Sequence, residues 1–176
     1  MLEQFSEIEW KSLSRGGLIA WLAAYALFLW YAARDTEGFL ALDHVNLVFH
    51  EGGHMFFSWF GHTIMILGGT LGELLVPLAV VIYFGLKGET AGVGFAAFWF
   101  FENFLYIGTY MADARAQELP LVGTGDTVDH DWNLLFSQWG VLMHDRDIGS
   151  ATRAVGWCGM IAVMAWLAWM HFRRAE

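Results

Sequence analysis

The chain of 176 residues contains little charge, few bases and a single cysteine. Only 15% of its residues are charged, against roughly 25% in an average soluble domain, which disfavours a soluble globular fold. Nine Lys and Arg against 18 Asp and Glu give a net charge of −9 without a basic cluster, which excludes nucleic acid as a partner. The lone Cys158 excludes an internal disulfide framework.

Hydrophobic and aromatic side chains dominate the sequence instead. Hydrophobic residues make up 57% of the chain, aromatic residues 17%, and the mean hydropathy is +0.45. This composition excludes a disordered or collagen-like chain and indicates an integral membrane protein. A helix needs roughly 20 mainly apolar residues to cross a hydrocarbon core about 30 Å thick. Five segments approach that length, at 17–33, 38–60, 70–86, 91–112 and 151–172.

These segments predict an all-α, polytopic membrane helix bundle of about five spans. We expect one transmembrane domain over 17–172, preceded by an amphipathic segment at 1–16 and interrupted by a polar loop at 113–150. Within that loop, the apolar stretch 132–143 is too short to span and predicts a short interfacial or re-entrant helix. The expected location is a bacterial inner membrane crossed several times, with lipid as the first partner. Lys and Arg are spread almost evenly among the loops, so the orientation stays open.

Two of the apolar segments carry a stripe of polar side chains. The polar residues that share one face of the segment 38–60 are Asp43, Asn46, His50 and His54. Those that share one face of the segment 91–113 are Glu102, Tyr106, Thr109 and Asp113. Ionisable side chains in lipid cost a few kcal/mol each, so both stripes must face protein or water. We therefore expect the two stripes to meet and Glu102 to lie beside His50 and His54.

The sequence His50-Glu51-Gly52-Gly53-His54 fits the pattern H-E-x-x-H. On a helix, two imidazoles one turn apart can hold one Zn²⁺ ion. The carboxylate of Glu51 can reach a water on that ion, take its proton during attack on a carbonyl, and pass the proton to the leaving amine. The motif therefore predicts a zinc site with His50 and His54 as ligands and Glu51 as general base.

The order of elements around this motif resembles the site-2 protease family of intramembrane zinc metalloproteases. That family carries H-E-x-G-H inside a transmembrane helix, and Gly53 stands at the glycine position here. The stretch 60–69 is similar to the short extended segment that follows the motif helix in the family. The stretch 68–84 is similar to the turn that opens the next span, although Thr70 and Glu73 stand where Pro and Asn are usual. The resemblance implies a zinc metallopeptidase whose substrate is a membrane-embedded or membrane-proximal peptide or membrane protein.

The third metal ligand stays open in the sequence. The family takes it from an Asp in an L-D-G sequence, which this chain lacks, and the nearest equivalent is the run 129–133. Glu73 follows His54 by nineteen positions, which is the spacing of soluble gluzincin aminopeptidases. The residues that compete for this role are His130, Asp131, Glu73 and Asp113.

Two other functions fit part of the pattern. The missing L-D-G and the small size favour a catalytically silent relative, which would act as a metal-binding or scaffold subunit beside a partner subunit in a larger complex. A membrane oxygenase with a di-iron site needs several closely spaced His boxes, which this sequence lacks. Its ligands would be Glu102, His50, His54 and His130.

Overall fold

The computed structural model describes residues 8–120 and 129–173, and the regular elements of these residues are all helices. The α-helices are α1 (Arg15–Arg34), α2 (Asp43–Phe57), α3 (His62–Leu86), α4 (Thr90–Ala112), α5 (Asp131–Gln138) and α6 (Asp145–Phe172). Single-turn 3₁₀ helices, Ser58–Phe60 and Leu142–His144, precede α3 and α6. The predicted all-α class is confirmed. Residues 1–7 of the predicted amphipathic segment 1–16 lie outside the described residues. Residues 121–128 of the predicted polar loop 113–150 also lie outside them.

Three helices are long and apolar enough to cross a membrane, which is compatible with an integral membrane protein. They are Arg15–Arg34, His62–Leu86 and the combined stretch Leu142–Phe172. Helix α4 has 23 residues, carries the buried Glu102 and Asn103 in its middle, and is not one of these three. Helix α2 has 15 residues, and at about 1.5 Å per residue it is too short for a core about 30 Å thick. The predicted count of five spans is therefore not confirmed.

Each of the helices α1, α3 and α6 ends with a cation stacked on an aromatic ring four residues earlier. Arg34 lies 5.1 Å from the Trp30 ring centroid, Lys87 lies 4.3 Å from that of Tyr83, and Arg173 lies 5.0 Å from that of Trp169. Aromatic rings paired with a long basic side chain are typical of helix ends at the boundary between lipid and water. These pairs therefore support the assignment of α1, α3 and α6 as spans.

The helices run alternately between two ends of the bundle. At one end, which we call the terminal end, Lys11 forms an ion pair with Glu89, and His171 Nδ1 lies 3.0 Å from the carbonyl oxygen of Leu13. These contacts bring together the start of α1, the junction of α3 and α4, and the end of α6. The other end, which we call the loop end, holds the end of α1, the start of α3 and the end of α4.

Helix α2 enters the bundle only part of the way. After α1, the chain passes α4 at Phe39, whose ring lies 5.1 Å from that of Tyr106, and goes deeper until Asn46 contacts Glu102. From there α2 runs back to the loop end, where α3 begins at His62. The segment that carries the H-E-x-x-H motif is thus a helix that starts inside the bundle.

The extended segment expected at 60–69 is not present. The chain turns at Gly61, which has a φ of 93°, and α3 is already helical from His62. The stretch 132–143, expected as one short helix, consists of α5 and the following 3₁₀ turn. Helix α5 packs its apolar face on α3 and α4 through Trp132, Leu135 and Phe136, all nearly inaccessible to solvent.

Glycines let the helices approach at backbone distance. A Cβ atom on Gly53 of α2 would lie 2.0 Å from the carbonyl oxygen of Gly68 on α3, and one on Gly72 would lie 2.2 Å from that of Phe49. Helices α4 and α6 meet in the same way at Gly108 and Gly149. Without a hydrophobic driving force between helices in lipid, such close backbone packing is a main source of helix association. Gly52, in contrast, has open space where a Cβ would stand.

The adjacent pair Gly52 and Gly53 tests this packing. We expect Gly53→Ala to lower the free energy of unfolding by about 1–3 kcal/mol, because the added methyl overpacks the α2 and α3 contact. Gly52→Ala should be neutral or raise it by up to about 1 kcal/mol, since Ala is the better helix former. Thermal unfolding in detergent, followed by circular dichroism, measures both variants. Equal melting temperatures would contradict the packing described here.

Candidate metal centre

Three side chains from two helices converge near the loop end of the bundle. His50 and His54 come from α2, and Asp131 is the first residue of α5. The Nε2 atoms of the two imidazoles are 3.0 Å apart, and Oδ2 of Asp131 lies 3.0 Å from the first and 3.2 Å from the second. Three such atoms within 4.8 Å of one another form a group that can hold a metal ion.

The other nitrogen of each imidazole determines which atoms face this centre. Nδ1 of His54 lies 2.8 Å from the carbonyl oxygen of Met65, which can only accept, so this nitrogen carries the proton. Nδ1 of His50 lies 3.3 Å from Oε1 of Glu73, an ion-pair distance without hydrogen-bond alignment. A neutral His54 held this way keeps a lone pair on Nε2, and a neutral His50 does the same in the tautomer whose proton lies on Nδ1 and faces Glu73.

In these tautomers, the two Nε2 atoms and the carboxylate of Asp131 are three hydrogen-bond acceptors that lie close together. Two lone pairs of imidazoles and one carboxylate oxygen repel each other unless a cation or extra protons lie between them. Burial disfavours two charged imidazoles side by side, whereas a single metal ion satisfies all three ligand atoms at once. Imidazole nitrogens oriented through the opposite nitrogen by a carboxylate and a carbonyl are also typical of metal ligands.

Space for an ion is provided by a glycine on α3. A Cβ atom on Gly69 would lie 2.6 Å from Nε2 of His50 and 2.7 Å from Nε2 of His54. Any other residue at this position would fill the volume between the ligand atoms. The centre is mostly closed: the exposed fraction of the side chain is 8% for His50, 14% for Asp131 and 23% for His54. It opens on the side of His54.

The position of Asp131 is fixed by its neighbours at the start of α5. The hydroxyl of Tyr110 on α4 accepts a hydrogen bond from the backbone N–H of Asp131 at 3.1 Å. The amide of Asn133 donates to the carbonyl oxygen of Ala114 at 2.7 Å. Burial alone would raise the pKa of Asp131, but protonated imidazoles beside it hold that pKa below its usual value. The third group of the centre is thus an ionised carboxylate on a firmly anchored turn.

His130, proposed together with Asp131 as a metal ligand, lies outside this group of ligand atoms. Its Nδ1 accepts a hydrogen bond from the N–H of Asn133 at 3.2 Å, so it caps α5, and its Nε2 lies 3.3 Å from Oδ2 of Asp113. Burial lowers the pKa of His130, although Asp113 acts in the opposite direction, and the neutral ring suits an acceptor role in the cap. His130 and its neighbour Asp113 therefore help to hold the start of α5, where Asp131 is the first residue.

Glu73, the alternative from the gluzincin spacing, contacts the outer nitrogen of His50 instead of the centre. Its side chain is almost fully buried, and one carboxylate oxygen faces that imidazole. Glu51 is half-buried on α2 and takes no part in the contacts that hold His50 and His54 in place. Its carboxylate is thus free for another role.

The two polar stripes meet one turn away from the ligands. Asn46 donates from its Nδ2 atom to Oε2 of Glu102 at 3.0 Å and to Oδ1 of Asp43 at 3.1 Å. Its Oδ1 accepts from the indole N–H of Trp99 at 2.7 Å. Glu102 is therefore bonded to the motif helix, but through Asn46 and not through His50 or His54.

Sequence reasoning missed three contributors to the centre: Tyr110, Met65 and Gly69. Tyr110 lies four residues after Tyr106 and could have been added to the second polar stripe by its helical spacing. Met65 contributes only its backbone carbonyl, which leaves no signal in the sequence. Gly69 belongs to a Gly68-Gly69 pair whose role depends on the distance between α2 and α3.

Comparison of the chain with protein-family models, with curated proteins and with solved structures gave no match.

Asp131 and its neighbour Asp129 allow a matched test of the ligand group. We expect Asp131→Asn to weaken Zn²⁺ binding by more than about 100-fold, because loss of a partner outside the ligand set already costs about 10- to 100-fold. Asp129→Asn removes the same charge from an exposed position two residues earlier and should leave binding unchanged. Competition of the purified protein with a zinc chelator in detergent gives both affinities. Equal affinities would remove Asp131 from the centre.

A second pair tests how the start of α5 is held. Tyr110→Phe deletes the acceptor of the Asp131 N–H, and the loss of one hydrogen bond, about 0.5–1.5 kcal/mol, should weaken Zn²⁺ binding by about 2- to 10-fold. Tyr106→Phe removes a hydroxyl one turn earlier on α4 and should change neither binding nor stability. The same chelator competition reports the difference, and the reverse order of the two variants would contradict this anchoring.

Proposed function

We propose that this chain is a membrane-embedded zinc metallopeptidase that hydrolyses a membrane-embedded or membrane-proximal peptide. The observation that carries the proposal is the convergence of His50, His54 and Asp131 on one point, with Nδ1 of His54 hydrogen-bonded to Met65 and Nδ1 of His50 facing Glu73. Three protein ligands leave the fourth position of a tetrahedral zinc site open, which distinguishes catalytic from structural zinc sites.

The donor set favours zinc among the common ions. Two imidazole nitrogens and one carboxylate oxygen suit zinc, whereas Ca²⁺ and Mg²⁺ prefer oxygen ligands alone. Iron(II) also accepts two His and one carboxylate, but the di-iron oxygenase needs Glu102 and His130 as well, and neither belongs to this group of ligand atoms. Glu51 favours the peptidase, because a carboxylate beside the ligands is the general base that hydrolysis needs.

In the proposed mechanism, a bound Zn²⁺ would supply a water of lowered pKa and polarise the carbonyl of the scissile bond. His50, His54 and Asp131 hold the ion, while Glu73 and the carbonyl of Met65 keep the imidazoles in the required orientation. Glu51 takes the proton of the attacking water and transfers it to the nitrogen of the leaving amine. The substrate approaches from the side of His54, where the centre is most open.

The resemblance to site-2 proteases supports the proposal at one further point. Asp131 belongs to the run 129–133, which is the nearest equivalent in this chain of that family's third-ligand sequence. Under this proposal the protein resides in a bacterial inner membrane and acts on a peptide or membrane-protein substrate. The second candidate function, a silent metal-binding or scaffold subunit of a larger complex, retains the same ligands but has no use for Glu51.

Glu51→Gln separates these functions. We expect the variant to keep about one zinc ion per chain and to lose about 10²- to 10⁴-fold in the rate of cleavage, which is the usual contribution of a general base. The probes are fluorescein-labelled casein and a fluorescence-quenched hydrophobic peptide in dodecyl maltoside. Glu37→Gln, in the exposed connection before α2, is the matched control and should cleave like the wild type.

The remaining outcomes assign the alternatives. Undiminished cleavage by Glu51→Gln would contradict the peptidase. A wild-type chain that holds zinc, hydrolyses neither probe and co-purifies with a stoichiometric partner would favour the scaffold subunit. Iron without zinc in elemental analysis of the purified protein would favour the oxygenase.

A further inference from the structure

A groove at the terminal end of the bundle is separate from the metal centre. It lies between the residues that precede α1 and the last two turns of α6, and its volume is about 430 Å³. The groove is lined by Trp10, Trp166, Trp169, Met170 and Arg173. Its volume is within the range of roughly 300–1,000 Å³ that is usual for small-ligand sites.

The walls of the groove are aromatic and ordered against each other. The rings of Trp10 and Trp166 pack edge to face with their centroids 5.9 Å apart, so the segment before α1 contacts α6 here. The hydrogen bond between His171 and Leu13 also connects the end of α6 to the segment before α1. The groove is therefore a fixed feature between two segments and not a gap beside one helix.

The groove has an apolar part and a cationic rim. Trp166 and Met170 belong to the apolar helix α6, whereas Arg173 is the residue directly after it. Within the described residues, the ion pairs do not include Arg173, which is exposed and whose guanidinium carbon lies 5.0 Å from the ring centroid of Trp169. A guanidinium can bind an oxyanion in a bidentate manner.

We propose that this groove binds one anionic phospholipid of the phosphatidylglycerol type. The phosphate lies on Arg173, and the upper part of an acyl chain lies against Trp10, Trp166 and Met170. Along the membrane normal, a phospholipid places its phosphate at the surface and its acyl chains deeper in the membrane. The groove places its cation and its indoles in the same order.

The net charge of the chain sharpens this assignment. A protein with a net charge of −9 repels anionic lipid from its surface in general, so a preference for such a lipid has to come from a local cation. Arg34 on Trp30 provides the comparison, because it has the same stacking geometry at 5.1 Å but lies at the loop end of the bundle.

The test uses the full chain, purified in detergent and incubated with phosphatidylglycerol or phosphatidylcholine of identical palmitoyl and oleoyl chains. Native mass spectrometry then counts the lipids that each protein retains. We expect the wild type to retain one phosphatidylglycerol with about tenfold preference over phosphatidylcholine, as for a charge-assisted bidentate contact. Arg173→Gln should lose the preference, and the matched control Arg34→Gln should keep it.

A second variant tests the apolar wall. Trp166→Leu preserves an apolar side chain and the helix, but it removes the edge-to-face contact with Trp10 and should lower retention of phosphatidylglycerol several-fold. An excess of inorganic phosphate should not displace the lipid, since it lacks the acyl chain. Equal retention of the two lipids by the wild type, or equal preferences in Arg173→Gln and Arg34→Gln, would overturn the proposal. Either result would show that the groove does not select an anionic phospholipid.

Discussion

The structure depends on the backbone contact between α2 and α3. Gly53 and Gly68 allow these helices to touch, and at that distance the two motif histidines reach α3 with their outer nitrogens. A wider separation would remove the hydrogen bond that fixes the tautomer of His54 and would move the carboxylate of Glu73 away from His50. The close approach would also crowd the ligand atoms, and Gly69 prevents this because it has no side chain. The metal centre is thus a consequence of helix packing.

A second constraint holds α2 at its depth in the bundle. Asn46 uses its full amide, with two hydrogen bonds donated to carboxyl groups and one accepted from an indole. In a surrounding without water, an amide or carboxyl without partners costs several kcal/mol, so sliding α2 along its axis is unfavourable. The first polar stripe therefore has two tasks. Asp43 and Asn46 position the helix, and His50 and His54 belong to the candidate metal centre.

Sequence reasoning predicted His50 and His54, with Asp131 among four alternatives, but not the architecture that brings these three residues together. The motif predicts His50 and His54 because their spacing matches one helical turn, and the charge of the segment indicates a face turned away from lipid. The short length of α2 could not be predicted, because the apolar stretch of the sequence continues through Phe60 and has the length of a complete span. The choice of Asp131 over His130 depends on which of two adjacent side chains caps α5, and no spacing rule decides that.

The use of each ionisable group bears on whether the centre is catalytic. His50, His54 and Asp131 face one point, Glu73 supports an imidazole, and Glu102 anchors the helix through Asn46. Each of these groups has a partner that offsets part of its burial. Among the ionisable residues of the motif, only Glu51 takes no part in these contacts. A scaffold that only binds metal gains nothing from this carboxylate, whereas hydrolysis requires it.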